Sequence, residues 1–370
     1  MKNPFRPTFG ASPRVWVGRQ AVLDEFARAL NNGPGDPHRS VVISGSRGIG
    51  KTVLLTELED EARRQGWIVV RASGREGMVE ALTDSAIPEA VEAVNPGKER
   101  RITGVTIAGL GGVRSELTEP RAAPRLVTRL RELLAAIDTG VLITIDEVQD
   151  ATPDDLTHIA VAYQDLVRDD AEIALSMAGL TQGVNKLLDL PGATFLRRAR
   201  HYELGPLSLD DATSTLIDTA EGAGRAFELP AAQAAARITQ GYPYLVQLVG
   251  YLAWEEARGP ITLDAVEAVR EEAILRLGTQ VHQPSLRDVP PRQREYLEAM
   301  AHIQSQTGRE TISVKDLAVA LERPSTGLSD TRSKLIERDL IVSAGWGEVA
   351  FAQPYLGDFL RNQNKPRRIS

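Results

Sequence analysis

Residues that can hold a nucleotide phosphate stand together near position 50 of the chain. Gly45 is followed after four residues by Gly50, Lys51 and Thr52, which is the phosphate-loop pattern. Glycines let the backbone curl so that N–H groups face phosphate oxygens, lysine reaches the β- and γ-phosphates, and the threonine hydroxyl holds Mg²⁺. The residues predicted to bind nucleotide are Gly45, Ser46, Arg47, Gly48, Ile49, Gly50, Lys51, Thr52 and Val53.

The segments on either side of this loop are of the kinds that the motif requires. Val41–Ile43 has the length and β-branched content of a buried strand. After the loop, apolar residues recur at helical spacing as far as Gly66, which is a suitable helix end. A glycine-rich turn that matches by chance is the alternative, but strand, loop and helix all fall in the required order.

A second apolar run ends in two carboxylates. Val141–Ile145 predicts another buried strand, followed directly by Asp146 and Glu147. A carboxylate at the end of such a strand can hold Mg²⁺, and a second one can polarise the attacking water as a general base. A solvated acidic turn is the alternative. Together with the phosphate loop, the pair predicts binding of ATP or ADP with Mg²⁺, and hydrolysis of ATP to ADP and phosphate.

Composition narrows the class of protein. The chain has 370 residues, a net charge of −7 and no cysteine, which excludes a disulfide framework or a thiolate metal site. No run approaches the length of a membrane span, and the first residues lack the apolar core of a signal peptide. These features predict a cytoplasmic protein without membrane contact.

Alternation of strands and helices predicts an α/β fold with a parallel sheet. Further strands are predicted at Trp67–Val70 and Ile173–Met177, with helices between them. We expect the acidic strand to lie beside the phosphate-loop strand. The glycine-rich segment Thr103–Gly112 is either an inserted β-hairpin or a mobile surface loop.

The rest of the chain changes character twice. Four helices are predicted in a row, each near a proline or a polar start: Asp210–Glu221, Pro230–Gln240, Pro243–Arg258 and Thr262–Leu277. Three more helices and a hairpin then predict a winged helix-turn-helix: Arg292–Ile303, Ser313–Leu321, Thr326–Arg338, Leu340–Val342 and Glu348–Phe351.

These motifs together resemble a known family. The loop GSRGIGKT, the strand LITIDE and the upstream VGRQ are similar to those of AAA+ ATPases, within the larger class of P-loop NTPases. ATFLRRARHYELGPLSLDDA and TQGYPYLVQLVGYLAWEEA resemble the entry to the lid and a lid helix of the archaeal-type and origin-recognition-like group, which borders on the STAND signalling ATPases. The resemblance implies an ATPase core at 1–205, a helical lid at 206–280 and a winged helix at 285–370.

The resemblance also implies roles for individual residues. Asp146 supports Mg²⁺, Glu147 activates water, and Ser176 takes the sensor position at the end of the fourth strand. An arginine finger that acts on a neighbouring subunit is expected among three residues, whose alternative is a solvated helix face: Arg197, Arg198 and Arg200.

The base side of the site is expected at two places, and the lid arginine of many AAA+ proteins is not evident. Tyr242 and Pro243 are expected to pack against adenine. Val17, Gly18 and Arg19 are expected to line the base pocket, or else to be a structural lead-in to the first helix.

Two functions remain open on the sequence alone. In the first, nucleotide state controls binding or loading of double-stranded DNA through Thr326–Lys334. Residues 285–370 carry 13 Lys and Arg against 11 Asp and Glu, which permits DNA contact without indicating it strongly. In the second, the winged helix binds a protein partner, and the chain is a signalling switch that assembles with that partner or with its own copies.

Overall fold

The computed structural model describes residues 2–8, 18–94, 122–189 and 193–363. Val17 and the segment Thr103–Gly112 lie outside these ranges. Described helices and strands fall into three parts along the chain: a sheet core (residues 18–204), a four-helix segment (209–277) and a C-terminal segment (283–363).

A five-stranded parallel sheet forms the sheet core. Its order in space is β2-β3-β4-β1-β5, and every neighbouring pair is parallel. The strands are β1 (Ser40–Gly45), β2 (Ile68–Ser73), β3 (Val141–Asp146), β4 (Ile173–Gly179) and β5 (Arg200–Leu204). Since the strands are parallel, their carboxyl ends meet at one edge of the sheet, where the phosphate loop and Asp146 both lie.

The expectation that the acidic strand lies beside the phosphate-loop strand is wrong. β4 separates them, pairing with β3 on one side and β1 on the other. All seven residues of β4 are buried, as is usual for a central parallel strand covered on both faces. The physical reason is that a later strand takes the central position, which helical connections allow and local sequence does not indicate.

Helices cover both faces of this sheet. α1 and α2 pack against one face with Phe26, Leu54 and Leu58, whereas α5 and α6 pack against the other with Leu130 and Ile159. The helices of the sheet core are α1 (Gln20–Asn32), α2 (Lys51–Arg64), α3 (Met78–Ala81), α4 (Ile87–Val94), α5 (Ala122–Ala135), α6 (Pro153–Arg168) and α7 (Thr181–Leu188). A wider helical turn at Leu82–Ala86 joins α3 to α4.

The four-helix segment follows the predicted pattern within two residues at each end. Its helices are α8 (Leu209–Glu221), α9 (Leu229–Thr239), α10 (Pro243–Glu256) and α11 (Leu263–Leu277). Ser208 caps α8 by accepting from the Asp211 N–H, and proline stands in the first turn of α9 and α10, where its missing N–H costs nothing. No helix in the described ranges is long and apolar enough to cross a lipid bilayer.

The C-terminal segment contains the predicted helices and hairpin and three further elements. Its elements are α12 (Gln283–Leu286), α13 (Pro291–Thr307), β6 (Ile312–Ser313), α14 (Val314–Ala320), α15 (Ser329–Glu337), β7 (Ile341–Gly345), β8 (Glu348–Phe351) and α16 (Leu356–Gln363). The three further elements are α12, β6 and α16. β6 pairs with β8, so the hairpin becomes a three-stranded sheet in the order β6-β8-β7. Ser313 caps α14 by accepting from the Lys315 N–H.

Residues 2–8 form neither helix nor strand, but they are tied to the four-helix segment. Phe5 is only 2% exposed and packs edge-on against Trp254. Its ring lies against Gly250 so closely that no side chain could be added there. The Asn3 amide donates to the Tyr251 carbonyl, 3.0 Å away. The segment therefore belongs to the core of α8–α11.

We expect Phe5→Ala to lower the free energy of unfolding by about 3–4 kcal/mol, because the ring leaves a cavity beside α10. Thermal or denaturant unfolding of the full chain measures this loss. Lys2→Ala, in the same segment but exposed, is the matched control and should change stability by less than about 0.5 kcal/mol. Equal stability of Phe5→Ala and the parent chain would contradict the assignment.

Candidate nucleotide-binding site

The phosphate loop runs from the carboxyl end of β1 to the first turn of α2. Gly48 and Gly50 have φ values of 72° and 93°, in the left-handed region that glycine adopts at little cost. This backbone directs N–H groups inward and joins them to the amino end of α2, which carries positive partial charge. The local geometry is therefore that of an anion-binding loop.

Lys51, the first residue of α2, folds back over the loop. Its Nζ donates to the carbonyls of Gly45 at 3.0 Å and Ser46 at 2.9 Å. Burial lowers the pKa of this ammonium group, and the carboxylates of Glu147, Asp339 and Asp146 act in the opposite direction. The ammonium group is thus held at the loop, where three carboxylates interact with it. From this position it could form charge-assisted hydrogen bonds with phosphate oxygens.

Thr52 and Asp146 lie together at the carboxyl edge of the sheet. The Thr52 hydroxyl donates to Asp146 Oδ2 at 2.7 Å, joining the helix after the loop to the end of β3. Hydroxyl and carboxylate oxygens are the hard ligands that Mg²⁺ prefers, with the remaining positions taken by water and substrate phosphate. These two residues fit Mg²⁺.

Glu147 is held by a residue that the sequence did not single out. It has a left-handed backbone, φ 53°, immediately after β3. Gln149 donates from Nε2 to Glu147 Oε2 at 2.6 Å and accepts the Leu180 N–H at 2.9 Å. Gln149 therefore fixes the carboxylate relative to the end of β4. A polar residue two places after the acidic pair was the available signal.

Ser176 does not lie at the end of its strand, where it was expected. It pairs with Val41 and Thr144 in the middle of β4, three residues before Gly179. The residue is fully buried, and within the described part of the chain its hydroxyl has no hydrogen-bond partner. The polar side chains at the carboxyl end of β4 are those of Thr181 and Gln182, which line a cavity with the phosphate loop.

The three arginines lie away from the phosphate loop of their own chain. Arg197 and Arg198 are exposed, and Arg197 donates to the Leu188 carbonyl at 2.8 Å. Arg200 starts β5 and pairs in register with Val41, whereas the loop follows the far end of β1. Four residues of strand span about 13 Å, so Arg200 stands at the opposite edge of the sheet.

Arg19 links the lead-in of α1 to the loop. Its Nη2 donates to the carbonyls of Ile49 at 3.0 Å and Gly205 at 3.2 Å. Burial lowers the pKa of the guanidinium to about 10. Gly18 is exposed and approaches Asp211. Arg19 thus fixes the loop to the point where the chain leaves the sheet core.

Tyr242, which was expected to pack against adenine, lies on the phosphate loop. It is 2% exposed, and its hydroxyl donates to the Arg47 carbonyl at 2.6 Å. A side chain at Gly48 would collide with the Tyr242 hydroxyl, so glycine is required there. Pro243 is the first residue of α10 and starts that helix. The four-helix segment therefore touches the phosphate loop directly.

A second contact comes from the C-terminal segment, and the sequence did not indicate it. Asp339 Oδ2 accepts the Arg47 N–H at 2.7 Å. Burial raises the pKa of this carboxyl group, while the Arg47 N–H and the Lys51 charge act to lower it. A cavity of about 570 Å³ opens beside the contact, lined by residues of all three parts of the chain, among them Ser46, Thr181, Tyr242, Asp339 and Tyr355.

Two family models match the chain. Residues 15–171 match the AAA ATPase domain, and residues 279–360 match a domain of unknown function, DUF8462. No curated protein sequence matches the chain.

Solved structures with a similar fold cover almost the whole chain. A Walker-type ATPase, Paby2304 of Pyrococcus abyssi, has a TM-score of 0.67 at 14% identity, with 94% of this chain and 96% of that chain covered. The ORC2 protein of Aeropyrum pernix has a TM-score of 0.62 at 14% identity, with 96% of each chain covered. These solved structures share the parallel α/β fold of the sheet core. Residues 15–171 carry the match to the AAA ATPase domain.

Lys51→Ala should weaken ATP and ADP binding about a hundredfold, since the buried cation at the loop is lost. Isothermal titration of the full chain with each nucleotide measures the affinity. Lys315→Ala removes an exposed lysine of the C-terminal segment and should leave the affinity unchanged. Parent-like binding by Lys51→Ala would refute the phosphate-loop assignment.

Glu147→Gln should keep ATP binding within a few-fold and slow hydrolysis by about a hundredfold or more, as expected for loss of a general base. Phosphate release under saturating ATP measures the rate, and titration measures the affinity. The control is Asp150→Asn, an exposed carboxylate three residues further along. If Glu147→Gln turns over normally, the base lies elsewhere.

Proposed function

We propose that this chain is an AAA+ ATPase that binds ATP and ADP with Mg²⁺ and whose nucleotide state controls binding of double-stranded DNA. One observation carries the proposal: a phosphate loop with its Thr52–Asp146 pair is joined in one chain to a segment with the element order of a winged helix. The ORC2 neighbour was solved in ADPNP and ADP complexes, which supports the choice of nucleotide.

In this proposal, the acidic pair Asp146–Glu147 at the end of β3 supports the hydrolysis of ATP. Asp146 and Thr52 would hold Mg²⁺, which supplies charge neutralisation at the β- and γ-phosphates when bound. Glu147 would take a proton from the attacking water, and Lys51 would hold the phosphates in place. Gln149 sets the position of the Glu147 carboxylate.

The C-terminal segment supports a winged helix through its order and its sheet. α13, β6, α14 and α15 precede the hairpin β7–β8, and β6 completes a three-stranded antiparallel sheet. In such a module the third helix, here α15, enters the major groove. Thr326, Ser333 and Lys334 are exposed on or beside this helix and suit phosphate contact.

Several residue roles complete the proposal as predictions. The parts of the chain would act as an ATPase core (1–205), a helical lid (206–280) and a winged helix (285–370). The exposed residues Arg197, Arg198 and Arg200 would offer a finger to a neighbouring copy in a homo-oligomer. The hydroxyl of Ser176 is fully buried. If Ser176 takes part in sensing the nucleotide, it would therefore do so by positioning β4 and not by direct contact.

A second function is favoured by the tip of the hairpin. Trp346 is fully exposed there, and α15 carries Asp330 and Glu337 beside its cations. Lys334 is already paired with Asp330 at 2.8 Å. An exposed aromatic residue on a weakly charged surface suits a protein partner, so the alternative is a nucleotide-dependent switch that assembles with another protein.

Fluorescence anisotropy with duplex DNA, at two salt concentrations and with ATP, ADP or neither, tests the proposal. We expect binding that depends on the nucleotide and weakens steeply with salt, because cations displace counterions from phosphates. The double change Arg332→Ala with Lys334→Ala should weaken it about tenfold. Arg270→Ala, an exposed arginine of α11, is the matched control.

Absence of DNA binding in every nucleotide state would contradict the DNA proposal. Nucleotide-dependent association with another protein would then support the switch. Nucleotide binding itself is tested separately by Lys51→Ala, so that the two parts of the proposal can fail independently.

A further inference from the structure

The backbone N–H and the backbone carbonyl of Arg47 are both bound by residues from outside the sheet core. Its N–H donates to Asp339 of the C-terminal segment at 2.7 Å. Its carbonyl accepts the hydroxyl of Tyr242, from the start of α10, at 2.6 Å. Arg47 is the third residue of the phosphate loop, so the loop backbone carries contacts from both other parts of the chain at one position.

Asp339 reaches the loop because of how α15 ends. The Leu340 N–H bonds to the Leu335 carbonyl at 3.1 Å, and the Asp339 N–H bonds to the Ile336 carbonyl at 3.0 Å. This pattern closes a helix and places the residue after the cap in the left-handed region, here with φ 58°. Asp339 is 9% exposed, so its carboxylate is enclosed against the loop.

The surroundings of this carboxylate are those of a bound anion. Asp339 acts to raise the pKa of Lys51, and the Lys51 charge acts to lower that of Asp339, so the two groups sense each other across the loop. A backbone N–H and a nearby ammonium group are the two donors that a nucleotide phosphate would use at such a loop. Asp339 therefore presents a negative charge where phosphate charge is expected.

Further contacts hold α15 against the sheet core. Lys186 Nζ of α7 pairs with Glu337 Oε2 at 3.2 Å. A second cavity, of about 440 Å³, lies beside this pair and is lined by Gln149, Lys334 and Arg338 among others. The carboxyl end of α15 thus faces the sheet core in this arrangement, which we term the closed arrangement.

We propose that Asp339 is an intramolecular competitor for nucleotide phosphate, so that nucleotide binding and the closed arrangement oppose each other. A triphosphate in the loop would bring its charge beside the Asp339 carboxylate, and the repulsion favours release of the C-terminal segment. Release frees the end of α15 from the sheet core. This inference rests on the part of the proposed function that places nucleotide at the phosphate loop, and it does not depend on DNA as the partner.

The coupling is reciprocal. If nucleotide weakens the closed arrangement, then the closed arrangement weakens nucleotide binding by the same factor. A chain without the Asp339 carboxylate should therefore bind nucleotide more tightly. The measurement therefore needs no DNA and no hydrolysis.

Asp339→Gly tests the competition with little risk to folding, since glycine is the residue that this backbone position prefers. We expect ATP and ADP to bind about tenfold more tightly than to the parent chain. Isothermal titration with each nucleotide measures this.

Glu322→Gly is the matched control. Glu322 follows the end of α14, and the chain there makes the same pattern of two hydrogen bonds as at Asp339. Its φ is 51°, and its side chain is exposed. The affinity of the Glu322→Gly variant for both nucleotides should equal that of the parent chain. Unchanged or weaker binding by Asp339→Gly would overturn the inference, whatever the control shows.

A cross-link tests the closed arrangement from the other side. The chain has no cysteine, so the double variant Lys186→Cys with Glu337→Cys carries only the two introduced thiols. A short bis-maleimide that joins them should weaken ATP binding about tenfold relative to the same variant blocked with N-ethylmaleimide. Equal affinities would overturn the inference.

The two proposals fail in different ways. Tighter nucleotide binding by Asp339→Gly without any DNA binding supports the competition and refutes DNA as the partner. Nucleotide-dependent DNA binding by the parent chain, with no effect of Asp339→Gly on nucleotide affinity, supports the DNA function and refutes the competition.

Discussion

The rest of the site depends on the buried ammonium group of Lys51, which lies at the carboxyl edge of the sheet and interacts with three carboxylates. Burial lowers the pKa of Lys51, and the carboxylates of Glu147, Asp339 and Asp146 partly offset this effect. Two of these carboxylates come from the end of β3 and the third from the C-terminal segment. The balance of charge at this lysine therefore depends on how the C-terminal segment is placed against the sheet core.

Local pattern was enough to predict the elements of the site. The phosphate loop and the pair Asp146–Glu147 each follow an apolar run, and strands of such a parallel sheet must bring their carboxyl ends to one edge. Thr52 and Asp146 accordingly meet at 2.7 Å. The helices of the four-helix segment were also predictable, because proline and polar residues mark their first turns.

Long-range arrangement was not predictable from the same patterns. Whether β4 or β3 lies beside β1 is decided by helical crossovers, and it determines that Ser176 is central and buried. The contacts of Tyr242 and Asp339 with Arg47 join residues 195 and 292 positions apart. Asp339 follows a short helix in a segment far from any motif, so nothing in its local sequence connects it with a phosphate.

The position of Phe5 beside Gly250 has a consequence for how the chain is made. Asn3 and Tyr251, which meet through a hydrogen bond, are 248 residues apart. At a synthesis rate of about 5–20 residues per second, the ribosome needs on the order of 10–50 s to produce the partner of this aromatic residue. During that time the sheet core is translated completely while Phe5 has no site to enter. Residues 2–8 can therefore dock only after α10 has been synthesised, which makes their packing against the four-helix segment a late step of folding.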